Sequence, residues 1–225
     1  MIATNISHIR EQISSAATEA GTNPQNIRLI AVTKTVAEER ILEALHAGVT
    51  DVGENRVQEL VRKAPLLTPR PNFHLIGHLQ RNKVKDALKY ADFIHSLDSV
   101  ALAEELQKQA VNQQKEISVL LQVNTGREDS KFGVLPEELY GFAEHVLKFP
   151  NLKIRGVMTI APKAELCSDV RQVFAETRKL YEGLKDKFSL SLDMLSMGMS
   201  NDYLDAIREG ANTVRIGRGI FGERV

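Results

Sequence analysis

The stretch R-L-I-A-V-T-K-T-V-A-E, residues 28–38, decides the fold. Its short apolar run is rich in branched residues and predicts a buried strand, and Lys34 stands where the run stops. Thr35 and Glu38 have capping-box spacing, which predicts a helix start. Lys34 is therefore expected at the carboxyl end of a strand and just before a helix, where α/β folds bind their ligands.

The position of Lys34 suggests a specific chemistry. A lysine that is partly desolvated at a strand end loses its proton readily and can form a Schiff base with an aldehyde. The alternative from this segment alone is a surface lysine that ends a strand.

Similar strand-like runs alternate with helical patterns along the whole chain. An amphipathic helix over residues 2–20, ended by Gly21, precedes the first strand. The predicted strands are the run before Lys34 and residues 49–52, 73–76, 93–97, 117–123, 154–160, 192–196 and 213–216. This number and a length of 225 residues favour a single (β/α)8 TIM barrel with an extra amino-terminal helix, one domain over residues 1–225.

A doubly wound open sheet is the alternative architecture. We favour the barrel because polar motifs follow strands that are spread along the whole sequence. A closed ring brings all those strand ends to one mouth, whereas an open sheet gathers only the strand ends near its switch point.

Composition excludes several classes of function. Lys and Arg total 29, as do Asp and Glu, so no overall charge favours nucleic acid or an anionic membrane. Cys167 is the only cysteine, which excludes an internal disulfide and a cysteine-cluster metal site. The chain starts without the basic and apolar pattern of a signal peptide, so we expect a cytoplasmic protein.

Two loops near the carboxyl end are candidates for binding phosphate. In S-M-G-M-S-N-D, residues 196–202, Ser200 is expected to cap the following helix. In R-I-G-R-G, residues 215–219, Gly217 lets the backbone approach a ligand closely. Loops after strands seven and eight commonly cradle phosphate in this barrel, although they can also be ordinary tight turns. Together with Lys34 they suggest a phosphorylated aldehyde as ligand.

Other polar residues have plainer interpretations. Arg215 could form an ion pair with an acidic residue at the barrel mouth. His74 and His78 lie across a strand end without an evident third ligand, so we expect no metal site. Lys131 is expected to be a solvated loop lysine, and Cys167 to begin a helix away from every cluster.

The motifs taken together resemble those of a known family. The segments that carry the resemblance are A-V-T-K-T (31–35), G-E-N-R-V-Q-E (53–59), H-x-I-G-H-L-Q-R-N-K (74–83), S-M-G-M-S-N-D-Y (196–203) and V-R-I-G-R-G-I-F-G (214–222). They resemble the pyridoxal phosphate homeostasis protein family, a short relative of the amino-terminal barrel of alanine racemase (fold type III). The sequence departs from the family at Arg218 and Gly219, where many members carry Thr and Ala.

The resemblance implies a site for pyridoxal 5′-phosphate (PLP). It implies that the cofactor is held as a Schiff base on Lys34 and that Asn55 lies near the phenolic oxygen of its ring. Phosphate would be held by Ser200 and by the backbone around Gly217 and Arg218. Arg215 would face the pyridine nitrogen.

The same resemblance implies a role in vitamin B6 and amino-acid homeostasis without robust turnover. An arginine at the ring nitrogen disfavours its protonation, and an unprotonated ring is a weaker electron sink. Racemase chemistry also needs a second acid/base, which the resemblance assigns to a further domain, and the chain ends at Val225 where the barrel ends. Alternatives are a PLP-dependent racemase-like enzyme and, with less support, a Schiff-base lyase of sugar phosphates. We expect a monomer with transient contacts to PLP-dependent apoenzymes.

Overall fold

Parallel strands close into a barrel in this computed structural model, which describes residues 1–128, 130–162 and 169–222. The strands follow one another around the ring in chain order, from β1 to β8, and β8 pairs with β1. This closure confirms the predicted barrel and excludes the open sheet. The strands are β1 (Arg28–Val32), β2 (Asp51–Glu54), β3 (Asn72–Leu75), β4 (Phe93–Leu97), β5 (Ile117–Gln122), β6 (Leu152–Met158), β7 (Met194–Ser196) and β8 (Thr213–Ile216).

Helices cover the outside of the ring. They are α1 (Ile2–Glu19), α2 (Glu38–His46), α3 (Val57–Lys63), α4 (Val84–Ala87), α5 (Val100–Asn112), α6 (Leu139–Val146), α7 (Val170–Phe188), α8 (Tyr203–Arg208) and α9 (Arg218–Phe221). The extra helix α1 buries its isoleucine stripe against α2, α8 and α9, as its amphipathic pattern predicted. No helix in the described part of the chain has the length and apolar character needed to cross a membrane.

The register places the ends of neighbouring strands side by side. Val32 of β1 pairs with Gly53 of β2, and Ile30 pairs with Arg215 of β8 on the other side. Because all these strands are parallel, their carboxyl ends and the loops that follow them open on one face of the barrel, which we call the mouth. The opposite face is called the floor.

The second strand lies two residues later than the sequence predicted, at Asp51–Glu54 rather than 49–52. Gly53 resembles a turn residue but lies inside β2 because its neighbours leave no room for a side chain. A Cβ atom built on it would lie 2.9 Å from Ile30 Cγ2 and 3.1 Å from Ile76 Cδ1. The glycine therefore reflects tight packing between strands and not a chain reversal.

Gly53→Ala should lower the free energy of unfolding by about 1–3 kcal/mol, because the added methyl group overpacks the junction of Ile30 and Ile76. Gly141→Ala is the matched control, since this exposed glycine in α6 has no atom within 4 Å of its built Cβ. That substitution should be neutral or stabilising, as expected for Gly→Ala within a helix. Urea denaturation measures the free energy of unfolding of each variant. Equal stability of the two variants would contradict the packing argument.

Candidate functional site

Lys34 lies in the turn between β1 and α2 and is partly buried, so its predicted place at a strand end is confirmed. The predicted capping box is wrong. Helix α2 has Ala37 as its N-cap residue and no side-chain cap. Thr35 instead adopts a left-handed conformation with φ of 63°, and its N–H donates to Glu59 Oε2 at 2.8 Å. The turn is thus fixed by α3 and not by its own helix.

A buried lysine organises the turn that carries Lys34. Lys63 on α3 is fully buried, and its Nζ donates to the carbonyl oxygen of Thr33 at 2.7 Å. The same ammonium forms ion pairs with Glu54 Oε1 at 2.8 Å and Glu59 Oε2 at 2.7 Å. We call Lys63, Glu54 and Glu59 the Lys63 cluster. Because it binds Thr33 O and Thr35 N, it holds the backbone on both sides of Lys34.

The acidic members of this cluster have opposite pKa shifts. Burial raises the pKa of Glu54, and its hydrogen bonds from Lys63 and Thr33 only partly oppose this effect. Burial also pushes the pKa of Glu59 upward, but hydrogen bonds from Lys63 and the Thr35 N–H outweigh it and lower the pKa. Sequence reasoning missed this cluster because Glu59 and Lys63 have the spacing of an ordinary surface pair. The available signal was that Lys63 falls on the same helix face as Val57 and Leu60.

Asn55 directly follows β2, and it lies beside Lys34 in the register of the two strands. Each lies two residues beyond a member of the Val32–Gly53 pair, so the two residues occupy adjacent strand ends. The Asn55 Oδ1 atom is buried, and no hydrogen-bond partner for it is found among the residues that the structure describes. A buried polar atom without a partner costs free energy, so this amide is suited to a ligand that satisfies it.

Arg215 projects from β8 and is almost completely buried. Its Nη1 donates to Ser196 Oγ at 2.5 Å and its Nη2 to the carbonyl oxygen of Thr159 at 2.8 Å. Within the described ranges no carboxylate lies within ion-pair distance, so the alternative of an ion pair at the mouth is wrong. Burial lowers the pKa of Arg215 to about 10, and the guanidinium still remains charged at neutral pH.

The loop after β7 contacts the start of α9, where Arg218 is the first residue after Gly217. Arg218 is exposed, and its Nη2 donates to Asn201 Oδ1 at 3.2 Å. Ser200 is partly buried in the first loop but does not cap α8, so that prediction is wrong. Asp202 is the N-cap residue, and its carboxylate accepts from the Met199 N–H at 2.5 Å.

The candidate residues lie on strands that are consecutive around the ring. Because β8 pairs with β1, the order β7, β8, β1, β2 is continuous. Gly217 packs against Val32, with a built Cβ 3.4 Å from both Val32 Cβ and its carbonyl oxygen. The structure thus brings the following residues to one side of the mouth: Lys34, Asn55, Ser200, Arg215, Gly217 and Arg218.

The remaining sequence candidates lie elsewhere. His78 stacks on Phe132 with 3.7 Å between ring centroids, while His74 lies inside the barrel. The described ranges contain no group of three His, Cys, Asp or Glu residues that could hold a metal ion. Lys131 is not a solvated loop lysine, because its Nζ lies 3.2 Å from Glu128 Oε1 and 3.4 Å from the Ala161 carbonyl oxygen. Cys167 lies outside the described residues.

Two histidines inside the barrel were not recognised from the sequence as a pair. His74 Nδ1 and His95 Nε2 are 2.9 Å apart, and both rings are fully buried. Burial lowers the pKa of His74 although Asp51 opposes it, and burial lowers the pKa of His95 much further. Both rings are therefore neutral at physiological pH. Their signal in the sequence is a polar residue in the middle of each of two buried strands.

The stability of the protein should fall as the pH drops below the ordinary histidine value of 6.5. In that range the two histidines bind protons in the unfolded chain but not in the folded protein, so acid favours unfolding. Urea denaturation at about pH 7.5 and about pH 5 should show a lower free energy of unfolding at the lower pH. His95→Gln should flatten this slope, whereas His8→Gln, at an exposed position, should not. An unchanged slope in His95→Gln would contradict the assignment.

Comparison with known proteins shows first that this barrel is of the alanine racemase N-terminal type. The sequence pattern described as alanine racemase, N-terminal domain, matches residues 4–225. An alanine racemase structure from Clostridium difficile superimposes with a TM-score of 0.78 at 16% identity, covering 99% of this chain and 56% of that chain. At this identity the likeness concerns the fold alone.

More similar proteins define the family. A pyridoxal phosphate homeostasis protein from Aquifex aeolicus is 43% identical over 220 residues, which is 97% of this chain and 96% of that protein. The structure of PipY from Synechococcus elongatus with PLP bound superimposes with a TM-score of 0.87 at 35% identity, covering 99% of this chain and 100% of that chain. The chain belongs to the pyridoxal phosphate homeostasis protein family, as the motifs indicated.

Proposed function

We propose that this protein binds pyridoxal 5′-phosphate, with Lys34 as its Schiff-base lysine, and acts in the homeostasis of the cofactor, vitamin B6 and amino acids. The observation that carries the proposal is the placement of Lys34, Asn55 and Arg215 on consecutive strand ends at the mouth. The relatives support it, since they are named for pyridoxal phosphate homeostasis and the PipY structure holds PLP.

The side chains around Lys34 suit the ring of the cofactor. Asn55 Oδ1 has no partner among the described residues, and its amide offers both an acceptor and donors, so we assign Asn55 to the phenolic oxygen. A guanidinium has five N–H donors, and the bonds from Arg215 to Ser196 and Thr159 leave others for the pyridine nitrogen. Arg215 lies in β8 and Asn55 directly follows β2, so little ordering is needed on binding.

The loops after β7 and β8 suit the phosphate. We assign the Ser200 hydroxyl and the backbone N–H groups around Gly217 and Arg218 to it. Arg218 adds a positive charge where many family members carry a small residue, and the contact with Asn201 keeps that charge near the loop after β7. Phosphate contacts of this kind retain the cofactor without taking part in chemistry at its ring.

We further propose that the protein lacks robust turnover. Bound PLP supplies a ring that withdraws electrons, and it does so best when its nitrogen is protonated. Arg215 disfavours that protonation because it is itself a buried cation. The alternative, a racemase-like enzyme, has the shared alanine racemase fold in its favour. Fast exchange of an amino acid's α-hydrogen into deuterated water would support the alternative, and its absence supports a binding protein.

Uptake of PLP tests the binding claim directly. Purified protein that has been stripped of ligand should retain PLP in equilibrium dialysis and develop visible absorbance from the Schiff base. A protein that stays colourless and leaves PLP equally distributed across the membrane would refute the proposal. Pyridoxal without phosphate should bind more weakly if the loops after β7 and β8 hold the phosphate.

The proposal extends to the oligomeric state, location and partners of the protein. We propose that residues 1–225 act as one PLP-binding unit, as a cytoplasmic monomer that contacts PLP-dependent apoenzymes transiently. Light scattering during size-exclusion chromatography measures the molar mass in solution and so tests for a monomer. Transfer is measured by the rate at which a PLP-dependent apoenzyme gains activity from the loaded protein, compared with free PLP at the same concentration.

A further inference from the structure

A hydrogen-bonded chain of side chains runs through the inside of the barrel. Asp51 Oδ1 lies 2.9 Å from His74 Nε2, and His74 Nδ1 lies 2.9 Å from His95 Nε2. His95 Nδ1 lies 3.1 Å from Ser196 Oγ, which accepts from Arg215 Nη1 at 2.5 Å. We call these residues the axial chain. Its members come from β2, β3, β4, β7 and β8, and all of them are buried.

The two ends of the axial chain fix the direction of every hydrogen bond in it. Arg215 can only donate, so Ser196 accepts from it. An ionised Asp51 can only accept, so His74 donates to it from Nε2. A neutral imidazole has one N–H, so His95 donates from Nε2 to His74 Nδ1, and Ser196 donates to the unprotonated His95 Nδ1. Burial pushes the pKa of Asp51 upward, but hydrogen bonds from His74 and Thr50 outweigh it and lower the pKa, so Asp51 is an ionised acceptor.

The axial chain therefore joins a cation at the mouth to an anion near the floor. At the floor, Arg28 Nε lies 3.9 Å from Asp51 Oδ1, and both residues line an open cavity of about 860 Å³. The Asp51 end thus lies on the face opposite to the proposed cofactor site. The other charged groups that face the axial chain are Arg28 and Asp92 toward the histidines and Asp202 toward Arg215.

We infer that Asp51, His74 and His95 are positioning residues for Arg215, which they hold toward the cofactor ring through Ser196. The inference rests on the proposed function, because the cofactor is what Arg215 faces. Loss of the Asp51 acceptor charge releases His74 from its Nε2–H form, so either ring nitrogen can then carry the proton. His95 and Ser196 lose their fixed donor order in turn, and Arg215 loses the oriented oxygen to which Nη1 donates.

A simpler alternative is that these residues only fill the barrel interior. Asp51→Asn separates the two roles, because it keeps the shape but replaces a charged group that only accepts with a neutral amide that can accept from His74 or donate to it. His95→Gln interrupts the axial chain in its middle. Met158→Leu is the matched control, since Met158 is fully buried in the same interior and lies outside the axial chain. A packing role predicts similar effects for all of these variants.

The first readout is the proton position on each histidine ring, measured by ¹⁵N NMR on the protein without ligand. The wild-type protein and Met158→Leu should show both rings neutral with the proton on Nε2. Asp51→Asn should show His74 with its proton shared between both nitrogens. An unchanged Nε2–H form of His74 in Asp51→Asn would overturn the inference, and this readout does not require PLP to bind.

The second readout is the dissociation constant of PLP and the pH dependence of the visible spectrum of the loaded protein. Asp51→Asn and His95→Gln should weaken binding about tenfold and shift the pH profile, because a charge-assisted hydrogen bond loses its orientation. Met158→Leu should do neither. Equal affinities and profiles in all these proteins would overturn the inference alone, whereas failure of the wild-type protein to take up PLP would refute the proposed function.

Discussion

Lys34→Ala should abolish the covalent retention of PLP. The Schiff base needs an amine, and the proposed site places Lys34 at the end of β1 beside Asn55 and near Gly217, which precedes α9. Without the amine only the phosphate and ring contacts remain, so any bound cofactor should dialyse away. We expect no visible absorbance from a Schiff base and no mass increase after reduction with borohydride. Added PLP followed by reduction and intact mass measurement provides the test.

Lys131→Ala is the matched control for this experiment. Lys131 also lies in a loop at the mouth, where it contacts Glu128 and the carbonyl oxygen of Ala161. The Lys131→Ala protein should take up one equivalent of PLP, as the wild-type protein does. A full covalent adduct in Lys34→Ala, or loss of the adduct in Lys131→Ala alone, would show that another lysine forms the Schiff base.

Lys63→Met should produce the largest loss of stability among these variants, about 3–5 kcal/mol in the free energy of unfolding. Removal of the ammonium leaves the buried Glu54 carboxylate with only Thr33 as a hydrogen-bond donor. It also removes the Lys63 donor from the carbonyl oxygen of Thr33, which keeps only the Val36 N–H, and so loosens the turn that carries Lys34. Urea denaturation measures the first effect, and the affinity for PLP in conditions where the variant is folded measures the second.

The loss in Lys63→Met should depend on pH. Burial already raises the pKa of Glu54, and removal of the opposing cation should raise it further. A group with a raised pKa in the folded state stabilises the protein below its unfolded pKa and less as the pH rises. The stability gap between variant and wild-type protein should therefore narrow as the pH is lowered. Adding Glu54→Gln should also recover part of the loss at neutral pH, and a strictly additive double variant would contradict the buried ion pair.

The sequence predicts the barrel well because the barrel depends on local patterns. The strands β4 and β8 were predicted at their observed bounds, and the isoleucine stripe of α1 was placed correctly. The error at β2 arose at Gly53, whose close contact with Ile30 comes from a neighbouring strand. Glycine spacing alone does not distinguish such packing from a turn.

Contacts between distant segments explain what the sequence did not show at the candidate site. The Thr35 N–H is bound by Glu59 rather than by Glu38, because the chain after β1 is held by α3. The axial chain assembles residues from separate strands, so no single motif contains it. Strand order, by contrast, was enough to group Lys34, Asn55 and Arg215, since their positions at strand ends follow from alternation.

We propose that one amine at the mouth of the barrel, that of Lys34, holds the cofactor. The most direct measurement of this claim is a peptide map of wild-type protein that has been incubated with PLP and reduced with borohydride. We expect a single pyridoxyl group on the peptide that contains Lys34, at close to one equivalent per chain. A map that places the group mainly on another lysine, or finds none on any peptide, would contradict it.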